Sequence, residues 1–245
     1  MAQPLGIIIY RGPSMLDGKP IVAIVSSLGA KSSNVKTGHM VQTYILADGI
    51  EPHAALKSGD DASVCGDCKH RPANGGACYV RVDQGPLVVY RAYQRGRYVD
   101  YSADMFGMRE ACAGKLVRLG SYGDPAAVPF HIWQNLVSLA SGVTGYTHQW
   151  RNHPEFAALC MASVDTFGEY MEARAQGWRT FRVRAPHDLA DKLEVICPAS
   201  KEAGFKTVCA SCKACGGHSS KAKAGIVIMA HGAKASRFNS IATGE

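Results

Sequence analysis

Seven of the chain's nine cysteines fall in two short segments, Cys65, Cys68 and Cys78 in the first and Cys197, Cys209, Cys212 and Cys215 in the second. That clustering constrains the chain more than any other feature. Disulfide frameworks belong to secreted chains and pair their cysteines in even numbers. Here the number is odd, and the opening MAQPLG lacks the basic stretch and apolar run of a secretory signal. Thiols packed this closely along a chain point instead to metal ligation.

The second segment reads CPASKEAGFKTVCASCKACGG. Its C-x2-C-x2-C run is the spacing that wraps a cubane cluster in bacterial ferredoxins, where a more distant cysteine supplies the last ligand. The small residues Ala210, Ser211 and Ala214 and the pair Gly216 and Gly217 allow backbone amides near cluster sulfurs. Zinc also accepts four cysteines, but more often from two separated C-x2-C pairs. The expectation is a 4Fe–4S cluster on Cys197, Cys209, Cys212 and Cys215, with zinc as the alternative. The first segment, CGDCKHRPANGGACY, holds only three thiols, with His70 the nearest nitrogen and His53 upstream. Several arrangements stay open: an iron left open to substrate, a fourth ligand from far along the chain, a Cys3His zinc site through His70, or one larger site shared by both clusters. Cys112 and Cys160 stand alone and are expected in the core, where free cysteine is commonly found.

At 245 residues with 47% apolar composition, the chain can bury a full core, and residues 1–245 are read as a single domain. No apolar run approaches the roughly 20 residues of a membrane span, so a cytoplasmic location is expected, that of the host cell if the protein is viral. Residues 1–50 read as β-rich, with strands at 6–10, 21–26 and 40–47. Residues 51–81 read as a loop carrying the first cysteine cluster, followed by helices at 86–95 and 103–113. From 115 to 232 strands and helices alternate: strands at 115–120, 144–148, 161–165, 179–184, 193–197 and 225–230, helical pieces at 128–141, 155–159, 167–176 and 186–192. This is an α/β pattern with right-handed crossovers and a mainly parallel sheet, either an open or incomplete βα barrel or a doubly wound open sheet.

Both architectures put ligands at the carboxyl ends of strands. The polar residues there are Asp124, His148, Asp165, Arg182 and His231, which are the candidate catalytic set, with Tyr146 and Arg184 beside them. Each has an ordinary reading too: Asp165 caps a helix and Asp124 starts a turn.

The formal charge of +7 suits an anionic partner, nucleic acid included. The segment YRAYQRGRYVDY at 90–101 interleaves tyrosine with arginine, as single-strand binders do. An amphipathic helix with a solvated arginine face is the simpler account of the same pattern. No P-loop, dinucleotide fingerprint or H-E-x-x-H occurs.

Three segments, CGDCKHRPANGGACYVR (65–81), GSYGDPAAVP (120–129) and the tail ICPASKEAGFKTVCASCKACGG (196–217) with IVIMAHG (226–232), resemble a family of bacteriophage and plasmid proteins of the gene product 88 type. The resemblance implies a viral protein with an αβ barrel like that of radical S-adenosylmethionine enzymes; the first cluster departs from the C-x3-C-x2-C spacing of those enzymes. The functional expectation is an iron–sulfur protein in electron transfer or redox enzymology, served by a host or phage redox partner. The rival expectation is a zinc-stabilised nucleic-acid-binding protein of phage replication or transcription. In a third reading the clusters are structural staples and do no redox work.

Overall fold

The computed structural model describes residues 4–29, 35–218 and 222–243. Its first three strands, β1 (Gly6–Pro13), β2 (Pro20–Ser26) and β3 (Val41–Ala47), are the β-rich beginning expected from sequence, and they pair antiparallel in order. Ile21 to Val25 are all fully buried. Cover on both faces explains why β2 is an unbroken apolar run rather than an alternating one.

Residues 51–81 are more ordered than their Gly, Asp and Lys content suggests. They contain helices α1 (Pro52–Ser58) and α2 (Ala62–Cys65), and a 3-10 turn at Pro72–Asn74. Pro52 sits in the first turn of α1, where its missing N–H costs nothing, and Gly59 closes the helix with φ 82°. Then come α3 (Gly85–Gln94), β4 (Val99–Asp100), α4 (Met105–Ala111), β5 (Leu116–Tyr122), α5 (Phe130–Val137), β6 (Gly142–Thr144), β7 (Tyr146–Thr147), β8 (Met161–Val164), α6 (Phe167–Ala175), β9 (Thr180–Arg184), β10 (Glu194–Ile196), α7 (Cys209–Cys212), β11 (Gly225–Met229) and α8 (Ala235–Thr243). The helical piece expected at 155–159 is a 3-10 turn, Pro154–Ala158, and the one expected at 186–192 is irregular. There Arg184 donates to the Asp188 carbonyl at 2.6 Å and Arg182 to the Leu189 carbonyl at 2.8 Å, so arginine side chains take up backbone acceptors that a helix would have used internally.

The strands form two mostly parallel sheets. One runs β4-β1-β2-β3-β5-β6 and the other β10-β11-β9-β8-β7. The second is parallel throughout, and β4, β5 and β6 join the first in parallel. No closed barrel is formed among the described residues. The chain passes from one sheet to the other at Gly145, splitting what the sequence suggests is a single strand at 144–148. A Cβ on Gly145 would lie 2.9 Å from the Cys160 sulfur and 3.0 Å from Leu119 Cβ, so only glycine fits the crossing. One contiguous apolar cluster, including Ile9, Ile45, Val117, Trp133, Trp150 and Tyr170, packs the two sheets and their helices together. Cys112 and Cys160 are fully buried, as expected of core thiols.

Candidate metal centres

The first cysteine segment is shaped by an arginine. Arg71 donates from Nε and Nη2 to the buried Asp61 carboxylate at 3.0 and 2.7 Å, and also to the Gly59 and Gly66 carbonyls. This draws the loop back onto α2, which Cys65 ends. The Cys78 amide donates to the His70 carbonyl at 2.9 Å, bringing the third cysteine back to the others. Gly76 makes that return possible, since a Cβ there would stand 2.3 Å from His70 backbone atoms. Burial, then the neighbouring sulfurs of Cys68 and Cys78, push the Cys65 thiol well up.

Strand ends converge on the same place. Asp124 follows β5, and its carboxylate accepts from Thr147 Oγ1 and from the His148 amide, both at 2.7 Å, while its own amide donates to the Val64 carbonyl at 2.6 Å. It therefore ties β5, β7 and α2 together and fixes where His148 emerges. Burial opposes the charge on His148, but the neighbouring Cys68 sulfur and the Asp165 and Asp124 carboxylates raise its pKa to about 9. Asp165 follows β8 and accepts from His70 Nε2 at 2.7 Å and from Lys69 Nζ at 3.2 Å. Burial opposes ionisation there as well, yet the His70 hydrogen bond and the charges of His148, His70 and Lys69 hold its carboxyl down at about 2. The His70 and His148 rings meet edge-on with centroids 5.9 Å apart, and Phe238 of α8 stacks on His70 at 5.5 Å. Donor atoms of His70, His148 and Asp165 lie within 4.8 Å of one another, the one such trio of His, Cys, Asp or Glu among the described residues.

Three of the five strand-end candidates, Asp124, His148 and Asp165, thus gather at the first cysteine cluster. The other two lie elsewhere. Arg182 sits within β9 and forms a buried ion pair with Glu194 at 2.6 Å, its guanidinium also over the Tyr170 ring. His231 is exposed, with a ring nitrogen 3.0 Å from the Met229 carbonyl. His53 lies on α1, near Asp83.

The second cluster forms its own pocket. Cys197, Cys209, Cys212 and Cys215 all line it, together with Thr144, Tyr146, Ala199, Lys213 and Ile226. Cys197 directly follows β10, and α7 carries the next two cysteines. Lys213 then takes a left-handed turn, φ 57°, that returns Cys215 to the pocket. The Gly145 amide, free at the crossing between sheets, donates to the Cys215 carbonyl at 3.0 Å. Burial and the three neighbouring sulfurs push the Cys215 thiol up to about 12, against a hydrogen bond from Tyr146. Gly217 is needed for backbone contact: a Cβ would come within 2.4 Å of the Ala157 carbonyl oxygen.

Two guanidinium groups flank this pocket. Buried Arg179 donates to the carbonyls of Gly216 (2.7 Å), Ala214 (2.9 Å), Gly217 (3.2 Å) and Ala224 (3.2 Å), and its Nε has no partner. Arg118, on β5, faces the Tyr146 ring at 5.5 Å and lies within electrostatic reach of Cys209 and Cys215. Neither pairs with a carboxylate among the described residues. The Thr144 hydroxyl, on the pocket wall, is buried without a partner. Sequence reading passed over all three, because a lone Arg or Thr within a strand carries no local signal. The tyrosines of the 90–101 segment pack against the core, and Tyr93 donates to Asp48 at 2.7 Å, while Arg91, Arg95 and Arg97 are exposed. That is the amphipathic arrangement, with the rings committed to packing.

Fold and residues together define a mixed α/β protein with four cysteines around one pocket and a His70, His148 and Asp165 group that could hold a metal ion. No family model matches the chain, and no curated protein or solved structure matches it significantly.

Proposed function

We propose that this chain is an iron–sulfur protein, with a 4Fe–4S cluster held by Cys197, Cys209, Cys212 and Cys215 and a second centre at Cys65, Cys68 and Cys78, acting in electron transfer or as a redox enzyme. The observation that carries the reading is one pocket lined by four cysteines and flanked by two guanidinium groups without carboxylates. Burying a cation costs several kcal/mol unless an anion answers it. Four neutral thiols do not; four thiolates on a metal centre do.

Spacing favours a cluster over a single ion. A Zn–S bond of about 2.3 Å places tetrahedral sulfurs about 3.8 Å apart. Among the described residues no three cysteine sulfurs lie within 4.8 Å of one another. The orphaned Thr144 hydroxyl can donate to a sulfur, which is one way proteins tune such centres. A cluster bound here supplies one-electron transfer. The chain's own part is to exclude water with Tyr146, Met161, Phe181 and Ile226, balance charge with Arg118 and Arg179, and hold the ligand loop through the Arg179 hydrogen bonds. On the outer side of α7 a cavity of about 670 Å³, lined by His39, Lys115, Ser211 and Lys213 among others, offers a basic approach for an acidic redox partner. Kinship with the gene product 88 type, and with it a viral origin, is proposed on the cysteine segments that carry the resemblance.

The test is purification without oxygen, followed by iron and sulfide analysis and electron paramagnetic resonance. The expected product is brown, absorbing near about 400 nm, with enough iron and sulfide for two centres. A colourless protein with stoichiometric zinc would refute the reading.

A further inference from the structure

We propose that His70 is the fourth protein ligand of the Cys65, Cys68 and Cys78 centre, bound through Nδ1, with Asp165 holding the opposite ring nitrogen. The inference rests on the reading of that segment as a metal centre, and it deepens it. The segment supplies only three sulfurs, so a further donor has to complete the site.

The two ring nitrogens of His70 have different surroundings. Nε2 lies 2.7 Å from the Asp165 carboxylate, which can only accept, so a ring proton sits there. Nδ1 is buried with no hydrogen-bond partner, the one histidine nitrogen of that kind among the described residues. In a neutral ring it is an unanswered lone pair, and a buried polar atom left so is costly. A metal ion answers it. Histidines that bind metal through one nitrogen almost always give the N–H of the other to a carboxylate, a carbonyl or water, which fixes the tautomer and makes the ligand more basic. His70 has both halves of that arrangement. His148 has no buried nitrogen without a partner, and His53 is on α1 beside Asp83.

The local chain keeps His70 with the cysteines. Its carbonyl accepts from the Cys78 amide at 2.9 Å, and the amide of Arg71 donates to the Cys68 carbonyl at 3.1 Å. Gly76 lets the two arms of this loop touch, since a Cβ there would stand 2.3 Å from the His70 Cα. Nδ1, bonded to Cγ, is the ring nitrogen nearer that main chain, and Nε2 reaches away from it to Asp165. Phe238 stacks on the ring at 5.5 Å, and the Asp165 amide donates to Glu169 at 2.8 Å, so ring and carboxylate are both fixed. Rigid support of this kind is what a ligand requires. Among the described residues no two cysteine sulfurs lie with a His70 nitrogen within 4.8 Å of one another, which is wide for one ion and suits ligands around a larger cluster. An imidazole ligand is neutral where a thiolate is anionic, so this centre is expected to have a higher reduction potential than the four-cysteine centre, in the direction that histidine ligation shifts iron–sulfur centres generally.

The experiment uses the full chain, labelled with 15N only in histidine, purified without oxygen and reduced chemically. Pulsed electron paramagnetic resonance reads the strong 15N coupling of a directly bound nitrogen, and iron and sulfide are counted in parallel. Wild type and His148→Ala should show the coupling. His70→Cys should keep wild-type iron and lose the coupling. His70→Ala should lose one cluster's share of the iron while the four-cysteine centre persists. Asp165→Asn removes the charge behind the ring, and should keep the coupling while raising the reduction potential of this centre; an unchanged potential would refute the role given to that carboxylate. The ligand assignment is overturned if the coupling survives in His70→Cys, if it disappears in His148→Ala, or if His70→Ala keeps the iron of both centres. A wild-type chain with no iron or sulfide would remove the iron–sulfur reading itself, and the ligand assignment with it.

Discussion

Replacing Arg179 with methionine keeps most of the side chain's volume and removes its charge and all its donors. Four carbonyls, those of Ala214, Gly216, Gly217 and Ala224, lose their partner at once. A hydrogen bond to a charged group is worth roughly 1.5–3 kcal/mol net, so four of them amount to roughly 6–12. Against this, the wild-type protein buries a guanidinium with no carboxylate, a penalty of several kcal/mol that the substitution relieves. Taking that penalty as about 4 kcal/mol, the difference is about 2–8 kcal/mol, which at roughly 2–4 °C per kcal/mol for this chain length lowers Tm by roughly 4–30 °C. The loss is local: the affected loop carries Cys215, so iron should fall to the content of the first centre alone. Thermal or urea unfolding of the metal-free and loaded forms, with iron counted on each, reads both effects. Arg179→Lys keeps a charge but cannot reach four diverging carbonyls, and should fall between the two. If Arg179→Met unfolds within about 0.5 kcal/mol of wild type and keeps its full iron, the argument that this arginine holds the ligand loop is wrong.

Glu194→Ala leaves the Arg182 guanidinium buried and unpaired, their side chains being 1% and 0% exposed, and should cost about 3–5 kcal/mol while the metal content of the folded fraction stays at the wild-type value; a small effect on stability with loss of activity would return Arg182 to the catalytic candidates. Gly217→Ala forces a methyl to within 2.4 Å of the Ala157 carbonyl oxygen, so iron at the four-cysteine centre should drop while Gly59→Ala, in open space but at φ 82°, leaves iron unchanged and affects stability alone. In the metal-free protein Asp165 ionises at about 2 against an ordinary value of 3.8. Its contribution, about 2 kcal/mol, is therefore complete above roughly pH 4 and lost as pH falls through about 2, and Asp165→Asn should flatten acid unfolding curves in that window. Because Cys215 is held protonated up to about 12 without metal, loading the metal-free chain at neutral pH should release protons, measurable in weakly buffered solution; uptake without proton release would contradict thiolate ligation.

Much of this was legible along the chain. The three opening strands, α3, α6 and most strands of the alternating region follow from local apolar patterning and from Gly and Pro punctuation, which depend on residues a few positions apart. The short α1 and α2 were not legible, since Gly, Asp and Lys around them read as loop, and in the fold α1 packs against β3 and α3 and α2 against β2 and β3. Strand-end logic found Asp124, His148 and Asp165 but also offered Arg182 and His231, because a sequence does not say which face of a strand its side chain takes once helices cover both.

By itself, then, the sequence determined that cysteines would meet: Cys209, Cys212 and Cys215 are held together by a few bonds of covalent chain, whatever surrounds them. Only the tertiary structure decided what they meet. His70 reaches Asp165 across 95 positions, and Arg179 reaches Gly216 across 37. Such pairings depend on strand order, on the crossing at Gly145 and on the hand of each crossover, which are settled by burying the whole core at once and not by any local run of residues.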